Sequence, residues 1–185
     1  MSEIVVIGSL NMDLVTGTPR IPLPGETLHG EYFRMIPGGK GANQAVAINR
    51  LGGKVTMVGR VGQDAFGSQL TDNLRASGVR TEFIFTDSKN MTGTATILVD
   101  DKGENSIIVI AGANGHLCKK DIETIEPRLA EARYLVTQLE IPLATVSHAI
   151  KLARKYALKI ILNPAPAYPQ VIDFFNFVDY LIQQN

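Results

Sequence analysis

The run from Gly38 to Ala47, GGKGANQAVA, combines residue types that suit a polar small ligand. Three of its first four residues are glycines, which leave backbone N–H groups uncovered, and Lys40 adds a positive charge between them. Asn43 both donates and accepts hydrogen bonds. The small apolar residues that follow predict a helix over about residues 42–51, whose N-terminus favours negative or polar groups. We expect a hydroxyl-rich ligand here, and a loop that only turns the chain is the alternative.

Two further segments place polar side chains just after predicted strands. Asn11 and Asp13 come after the β-branched run 4–7, which predicts a strand buried on both faces. Glu140 follows the predicted strand 135–139. Ligands of α/β sheets bind at the carboxyl ends of the strands, where an ionised carboxylate can accept hydrogen bonds from two sugar hydroxyls. The alternatives are a turn cap for Asp13 and an exposed first turn of a helix for Glu140.

The elements that must position these residues alternate between strand and helix patterns. Apolar runs at 55–58 and 160–162 predict further strands. Asp64 is the expected N-cap of a helix that ends at Gly78. This alternation is typical of an α/β fold with a Rossmann-like, mostly parallel sheet flanked by helices.

Two segments break the alternation. Residues 14–36 lack helical periodicity and carry three prolines. The β-branched runs 94–99 and 106–110 flank Asp-Asp-Lys-Gly, which predicts a hairpin turn. These segments predict a small separate β-sheet, and peripheral hairpins on the main sheet are the alternative.

Composition excludes several classes of protein. The 185 residues are 45% hydrophobic and 19% charged, which argues against disorder, and 18 basic residues balance 18 acidic ones. Balanced charge argues against partners such as nucleic acid or a membrane surface. We expect Cys118, the single cysteine, to be a small buried side chain in a cytoplasmic protein. The three histidines have no partners at short spacing, so no metal ligand is assigned.

Six short motifs occur in the order found in the ribokinase family of carbohydrate kinases, and the chain resembles that family from about Ile4 to its end. The motifs are Gly8-Ser9-Leu10-Asn11-Met12-Asp13, the glycine run with Asn43, Gly52 and Gly62, Gly62-Gln63-Asp64-Ala65-Phe66-Gly67, Ala111-Gly112-Ala113-Asn114, Gln138-Leu139-Glu140, and Leu162-Asn163-Pro164-Ala165-Pro166-Ala167.

The resemblance implies a ribokinase-like fold whose small sheet forms a lid over the sugar. The implied core domain comprises residues 1–13, 37–93 and 111–185, and the lid comprises residues 14–36 and 94–110. The lid is also the implied contact of a homodimer. The implied sugar-binding residues are Asn11, Asp13, Gly39, Lys40, Asn43, Ala95 and Glu140. The loop beginning at Asn163 is implied to lie near the nucleotide, with its prolines shaping the backbone.

The activity implied by the resemblance is ATP-dependent phosphorylation of D-ribose at O5, which yields ribose 5-phosphate. Mg²⁺ and a monovalent cation such as K⁺ are the implied cofactors. A second family signature resembles Asp-Thr-x-Gly-Ala-Gly-Asp and supplies the anion hole and the catalytic base, and it is not present in these 185 residues. We therefore expect an N-terminal fragment that is inactive alone. Asn185 would begin a nucleotide-binding and metal-binding motif, and no catalytic residue is assigned within the chain.

Three alternatives stay open at this stage. The first is another sugar or nucleoside kinase of the same family, although Lys40 is unusual in fructokinase-like members. The second is a non-catalytic fragment that binds sugar or dimerises. The third, a Rossmann dehydrogenase, is disfavoured because Gly-x-Gly-x-x-Gly does not follow the first strand.

Overall fold

The computed structural model describes residues 3–169 and 172–182. Its strands, in chain order, are β1 (Glu3–Ile7), β2 (Asn11–Gly17), β3 (Tyr32–Gly38), β4 (Lys54–Gly62), β5 (Arg80–Asp87), β6 (Gly93–Val99), β7 (Asn105–Ile110), β8 (Tyr134–Thr137), β9 (Lys159–Leu162) and β10 (Tyr180–Leu181). Its α-helices are α1 (Lys40–Arg50), α2 (Ala65–Ala76), α3 (Lys119–Thr124), α4 (Glu126–Glu131), α5 (Leu143–Lys155) and α6 (Ile172–Phe175). A short 3-10 helix spans Gly112–His116.

The larger sheet is parallel, with the strand order β10-β9-β8-β1-β4-β5. Its central strand β1 is buried on both faces, as predicted. Val5 and Ile7 face a cluster completed by α3, α4 and α5, whereas Val6 faces a cluster completed by α1 and α2. Successive residues of a strand point to opposite faces, so β1 contributes to both halves of the core.

The helices begin and end close to the predicted positions. The Asp64 carboxylate accepts the N–H of Gly67 at 2.8 Å and so caps α2, which confirms the predicted N-cap. Helix α1 begins at Lys40, two residues before the predicted start, because Gly39 is its N-cap.

The smaller sheet has the strand order β3-β2-β6-β7. Strands β6 and β7 form the predicted antiparallel hairpin, and β2 and β3 come from the proline-rich segment and its flanks. Strand β2 begins at Asn11, so Asn11 and Asp13 both pair with β3 and β6 in the smaller sheet. The division of the chain into a core domain and a lid stays a prediction.

Cys118 is exposed, so the expectation of a buried thiol is wrong. The chain leaves the core at the buried Leu117 and turns outward into α3. The N–H of Cys118 donates to the Asp121 carboxylate at 2.9 Å, which fixes this turn and leaves the thiol at the surface. Across the described residues, every helix is too short or too polar to cross a membrane.

Candidate functional site

A cleft of about 510 Å³ lies where the carboxyl ends of the larger sheet face the smaller sheet. The structure brings seven of the sequence-predicted binding residues to its lining, from β2, β6, the start of α1 and the loop after β8. They are Asn11, Asp13, Gly39, Lys40, Asn43, Ala95 and Glu140. Their binding roles stay predictions, and Asn185 lies outside the described residues.

Gly39 sets the approach of α1 to the cleft. Its φ of 92° is a backbone conformation that side chains other than glycine rarely adopt. A Cβ at this position would lie 2.8 Å from the carbonyl oxygen of Ser9 and 2.8 Å from the N of Asn11. The absence of a side chain therefore allows the first turn of α1 to pack directly against the loop between β1 and β2.

The Glu140 carboxylate is held at the N-terminus of α1 by three donors. The Ser9 hydroxyl donates to its Oε2 at 2.5 Å, and the backbone N–H of Lys40 donates to the same oxygen at 3.2 Å. The Lys40 ammonium pairs with its Oε1 at 3.0 Å. Glu140 is partly buried and precedes α5, so the alternative of an exposed residue in a helix's first turn is wrong. The carboxylate and the ammonium are thus fixed together in the cleft.

The negative charge of Asp13 is less compensated by neighbouring donors than that of Glu140. Burial raises its pKa above the ordinary value, and the nearby Glu140 carboxylate adds to the rise, while Lys40 opposes it. Desolvation and a like charge both disfavour the ionised form. Hydroxyl groups that donate to this carboxylate would relieve part of that penalty, so Asp13 is suited to accept hydrogen bonds from a ligand.

The Asn11 side chain has a fixed orientation. Asn114 accepts the backbone N–H of Leu10 through Oδ1 at 2.9 Å and donates from Nδ2 to the Leu10 carbonyl at 3.0 Å. These two bonds fix the positions of the oxygen and the nitrogen of the Asn114 amide. The same Nδ2 donates to Asn11 Oδ1 at 2.8 Å. Gly93 leaves room for this pair, because a Cβ there would lie within 2.4 Å of both side chains. Asn11 therefore presents its NH₂ group, a donor, to the cleft.

The smaller sheet gives the cleft an apolar wall. Ile97, Ile107 and Val109 line it, and Val109 lies directly across from Ala95 in the β6–β7 hairpin. The opposite side of the cleft carries carboxylates, amides and an ammonium. A polyhydroxylated carbon skeleton fits such a cleft, since its C–H groups can face the apolar wall while its hydroxyls face the polar side.

Sequence reasoning missed four polar residues at or behind this cleft. Ser9 and Asn114 fix Glu140 and Asn11, and Gln44 and Asn163 line the cleft directly. Asn163 directly follows β9, and the rule that found Glu140 at the end of β8 applies equally to it. The prolines that follow Asn163 led to the expectation of a loop whose role is to shape the backbone, and not to bind the sugar. The shaping role of the prolines stays a prediction, and the loop contacts the segment before Glu140, since the Ala165 carbonyl accepts the N–H of Leu139 at 3.1 Å.

A parallel sheet with polar groups at its carboxyl ends, facing a second small sheet, is the α/β architecture of the ribokinase-like fold. This confirms the predicted fold class. The chain belongs to the pfkB family of carbohydrate kinases, whose sequence pattern matches residues 1–184.

Similar proteins include several sugar kinases. The chain is 42% identical to the ribokinase of Schizosaccharomyces pombe over 188 residues, which cover 98% of this chain and 59% of that protein. It is 42% identical to the deoxyribokinase of Salmonella typhi over 165 residues, which cover 89% of this chain and 54% of that protein. The structure of Arabidopsis thaliana ribokinase complexed with ribose and ATP matches with a TM-score of 0.85 at 29% identity, covering 98% of this chain and 60% of that one. The chain thus spans less than two thirds of the length of these relatives.

Proposed function

We propose that this chain forms the sugar-binding part of an enzyme that transfers a phosphoryl group from ATP to O5 of D-ribose, yielding ribose 5-phosphate. The observation that carries the proposal is the convergence of Asp13, Lys40 and Glu140 with four further predicted sugar-binding residues on one cleft. The similar proteins named as ribokinases support ribose as the acceptor.

Different residues of the cleft donate and accept the hydrogen bonds that an uncharged pentose needs. Asp13 accepts hydrogen bonds from hydroxyls, Asn11 donates through its NH₂ group, and Lys40 has ammonium protons left over after pairing with Glu140. The apolar wall on β6 and β7 excludes water from the sugar. Exclusion of water matters for a kinase, because water competes with the hydroxyl for the phosphoryl group.

The phosphoryl donor is ATP, consistent with a family of carbohydrate kinases and with a relative described as complexed with ATP. We further propose Mg²⁺ and a monovalent cation such as K⁺ as cofactors, and the cytoplasm as the location. The residues that the structure describes contain no cluster of three His, Cys, Asp or Glu side chains that could hold a metal ion. We therefore assign no metal ligand to them and derive no step through the metal. The catalytic base is left unassigned because the second family signature is not present in these 185 residues.

A homodimer through the smaller sheet completes the proposal. The strand pairing places Phe33, Met35, Ile108 and Ile110 on the face opposite the cleft-lining residues. All four are exposed, and Ile108 is 67% exposed. They stand in two pairs, on the two edge strands β3 and β7. Exposed apolar side chains on one face of a sheet are typical of a protein–protein contact, and a second copy of the chain is the proposed occupant.

Calorimetric titration of the purified chain with D-ribose tests the proposed function. We expect saturable binding of D-ribose, weaker binding of 2-deoxy-D-ribose and D-fructose, and none of adenosine. An assay of ADP release should show no ribose-dependent turnover by the 185-residue chain alone, because its sequence lacks the signature that supplies the base and the anion hole.

The alternatives predict other results. Preference for 2-deoxy-D-ribose would assign the chain to a deoxyribose kinase, and preference for adenosine would assign it to a nucleoside kinase. Failure to bind any of these ligands would contradict the proposal as a whole.

A further inference from the structure

We infer that Asn163 binds a hydroxyl group of the sugar directly, a role that the sequence motifs do not assign to it. The identity of the ligand rests on the proposed function, whereas the inference about Asn163 rests on its surroundings. Asn163 lines the cleft, yet its side chain is almost fully buried, with 1% of the residue exposed. Within the described part of the chain, neither its Oδ1 nor its Nδ2 has a hydrogen-bond partner.

An amide in this state is unusual in a folded protein. Most buried polar side-chain atoms have at least one partner, and leaving one unpaired loses the hydrogen bonds that water supplied in the unfolded chain. The backbone of Asn163 is well held, since its N–H donates to the carbonyl of Thr137 at 2.9 Å. The side chain is thus buried on a well-held backbone with its hydrogen-bonding capacity unused, which is expected of a group that is completed by a ligand.

Two further amides lie at or behind the cleft lining. Gln138 is fully buried and donates from Nε2 to Gln44 Oε1 at 2.5 Å. This bond occupies the oxygen of Gln44 and leaves its NH₂ group for the cleft, which Gln44 also lines. Asn163, after β9, and Gln44, on α1, thus both offer uncharged hydrogen-bonding groups to the cleft.

The chemistry of this set favours a hydroxyl over an anion. A hydroxyl both donates and accepts, and so can satisfy the oxygen and the nitrogen of an amide. A phosphate oxygen only accepts, and the Asp13 and Glu140 carboxylates in the same cleft would repel it. The ligand group at Asn163 is therefore a sugar hydroxyl rather than a phosphate of the nucleotide.

Asn163→Ala tests this inference by titration of the full 185-residue chain with D-ribose and by thermal unfolding. Loss of a hydrogen bond that the ligand makes with a buried amide should weaken ribose binding about tenfold. The melting temperature should stay equal or rise, because the substitution removes unpaired polar atoms. Asn73→Ala, at an exposed position on α2, is the matched control and should change neither quantity. Asn163→Val is a second variant in case the alanine variant does not fold.

The outcomes separate this inference from the proposed function. If the unsubstituted chain binds no sugar, both are overturned. If it binds ribose and the Asn163 variants bind it equally well, the inference alone is overturned. A parallel titration with MgATP completes the test: a loss of nucleotide binding with ribose binding kept would place Asn163 at the nucleotide and overturn the hydroxyl assignment. A fall in the melting temperature that accompanies weaker ribose binding would assign a structural role and also overturn it.

Discussion

At the scale of single residues, the cleft contains side chains that face the ligand and side chains that fix their direction. Asn11 and Glu140 belong to the first group, and Asn114 and Ser9 belong to the second. Both fixing residues are buried and hydrogen-bonded, so they have little freedom to move. Pre-organised polar groups bind better than mobile ones because less conformational entropy is lost on binding.

We expect Asn114→Ala to weaken ribose binding about tenfold, since Asn11 would lose the bond that orients its amide. A double-mutant cycle with Asn11→Ala checks this by calorimetry. If Asn114 acts through Asn11, the double variant should bind ribose no more weakly than Asn11→Ala alone. Additive losses would mean that Asn114 affects binding by another route.

Ribose binding should weaken as the pH falls, because the Asp13 carboxyl group has its full capacity to accept hydrogen bonds only when it is ionised. Its folded pKa lies above the ordinary value of 3.8 through burial and the Glu140 charge, with Lys40 opposing. The ionised form therefore costs stability at neutral pH, and this cost is relieved as the pH falls through the raised pKa. Ribose should in turn lower the pKa, so its affinity should decrease through the same window.

Titrations from neutral pH down through the acidic range check this dependence, because the raised pKa moves the window upward from the ordinary aspartate value. Asp13→Asn is the matched control and should bind ribose about tenfold more weakly at neutral pH, with a flatter profile. An unchanged profile in the asparagine variant would assign the pH dependence to another group.

Seven residues of the cleft could be predicted from the sequence, whereas the residues that orient them could not, for a physical reason. Asp13, Lys40 and Glu140 are recognisable because each is a charged residue next to a strand end or a glycine-rich turn. Ser9 and Asn114 act on partners 131 and 103 positions away, a relation that local spacing does not contain.

At the scale of elements, the junction between β3 and α1 carries a steric requirement that backbone atoms set. We expect Gly39→Ala to lower the free energy of unfolding by about 2–4 kcal/mol, since it combines an unfavourable φ with contact against the backbone of Ser9 and Asn11. Chemical denaturation measures this loss.

Gly52→Ala separates the two causes. Gly52 has a similar φ of 86°, but a Cβ there would meet nothing within 4 Å. Its substitution should therefore lower the free energy of unfolding only through the unfavourable φ, by about 1–2 kcal/mol. Equal losses in the two variants would mean that the packing of α1 against the loop after β1 is not tight.

The elements themselves were largely predictable, because each has a local cause. The β-branched run of β1, the Asp64 cap and the turn between β6 and β7 all act within a few residues. The place of β2 was not predictable in the same way. Asn11 and Asp13 were expected at the end of the first strand, and the pairing of β2 with β3 and β6 moves them into the second sheet. Such pairing depends on contacts between distant segments.

At the scale of the whole molecule, the outer face of the smaller sheet should determine the oligomeric state. We expect the chain to sediment as a dimer and Ile108→Lys to sediment as a monomer, because a lysine would have to be desolvated at an apolar contact. Asn105→Lys adds the same charge to the same strand on the other face and should remain dimeric. A monomeric unsubstituted chain would contradict the proposed dimer.

The division of the cleft between two sheets has a mechanical consequence. Asn11 and Asp13 belong to the smaller sheet, whereas Glu140 and Asn163 follow strands of the larger one. A sugar that bonds to both sets is a removable crosslink, and it adds to the few chain segments that connect the sheets. Slower amide hydrogen exchange in β6 and β7 on addition of ribose would therefore report the tightening of a joint rather than the formation of new secondary structure.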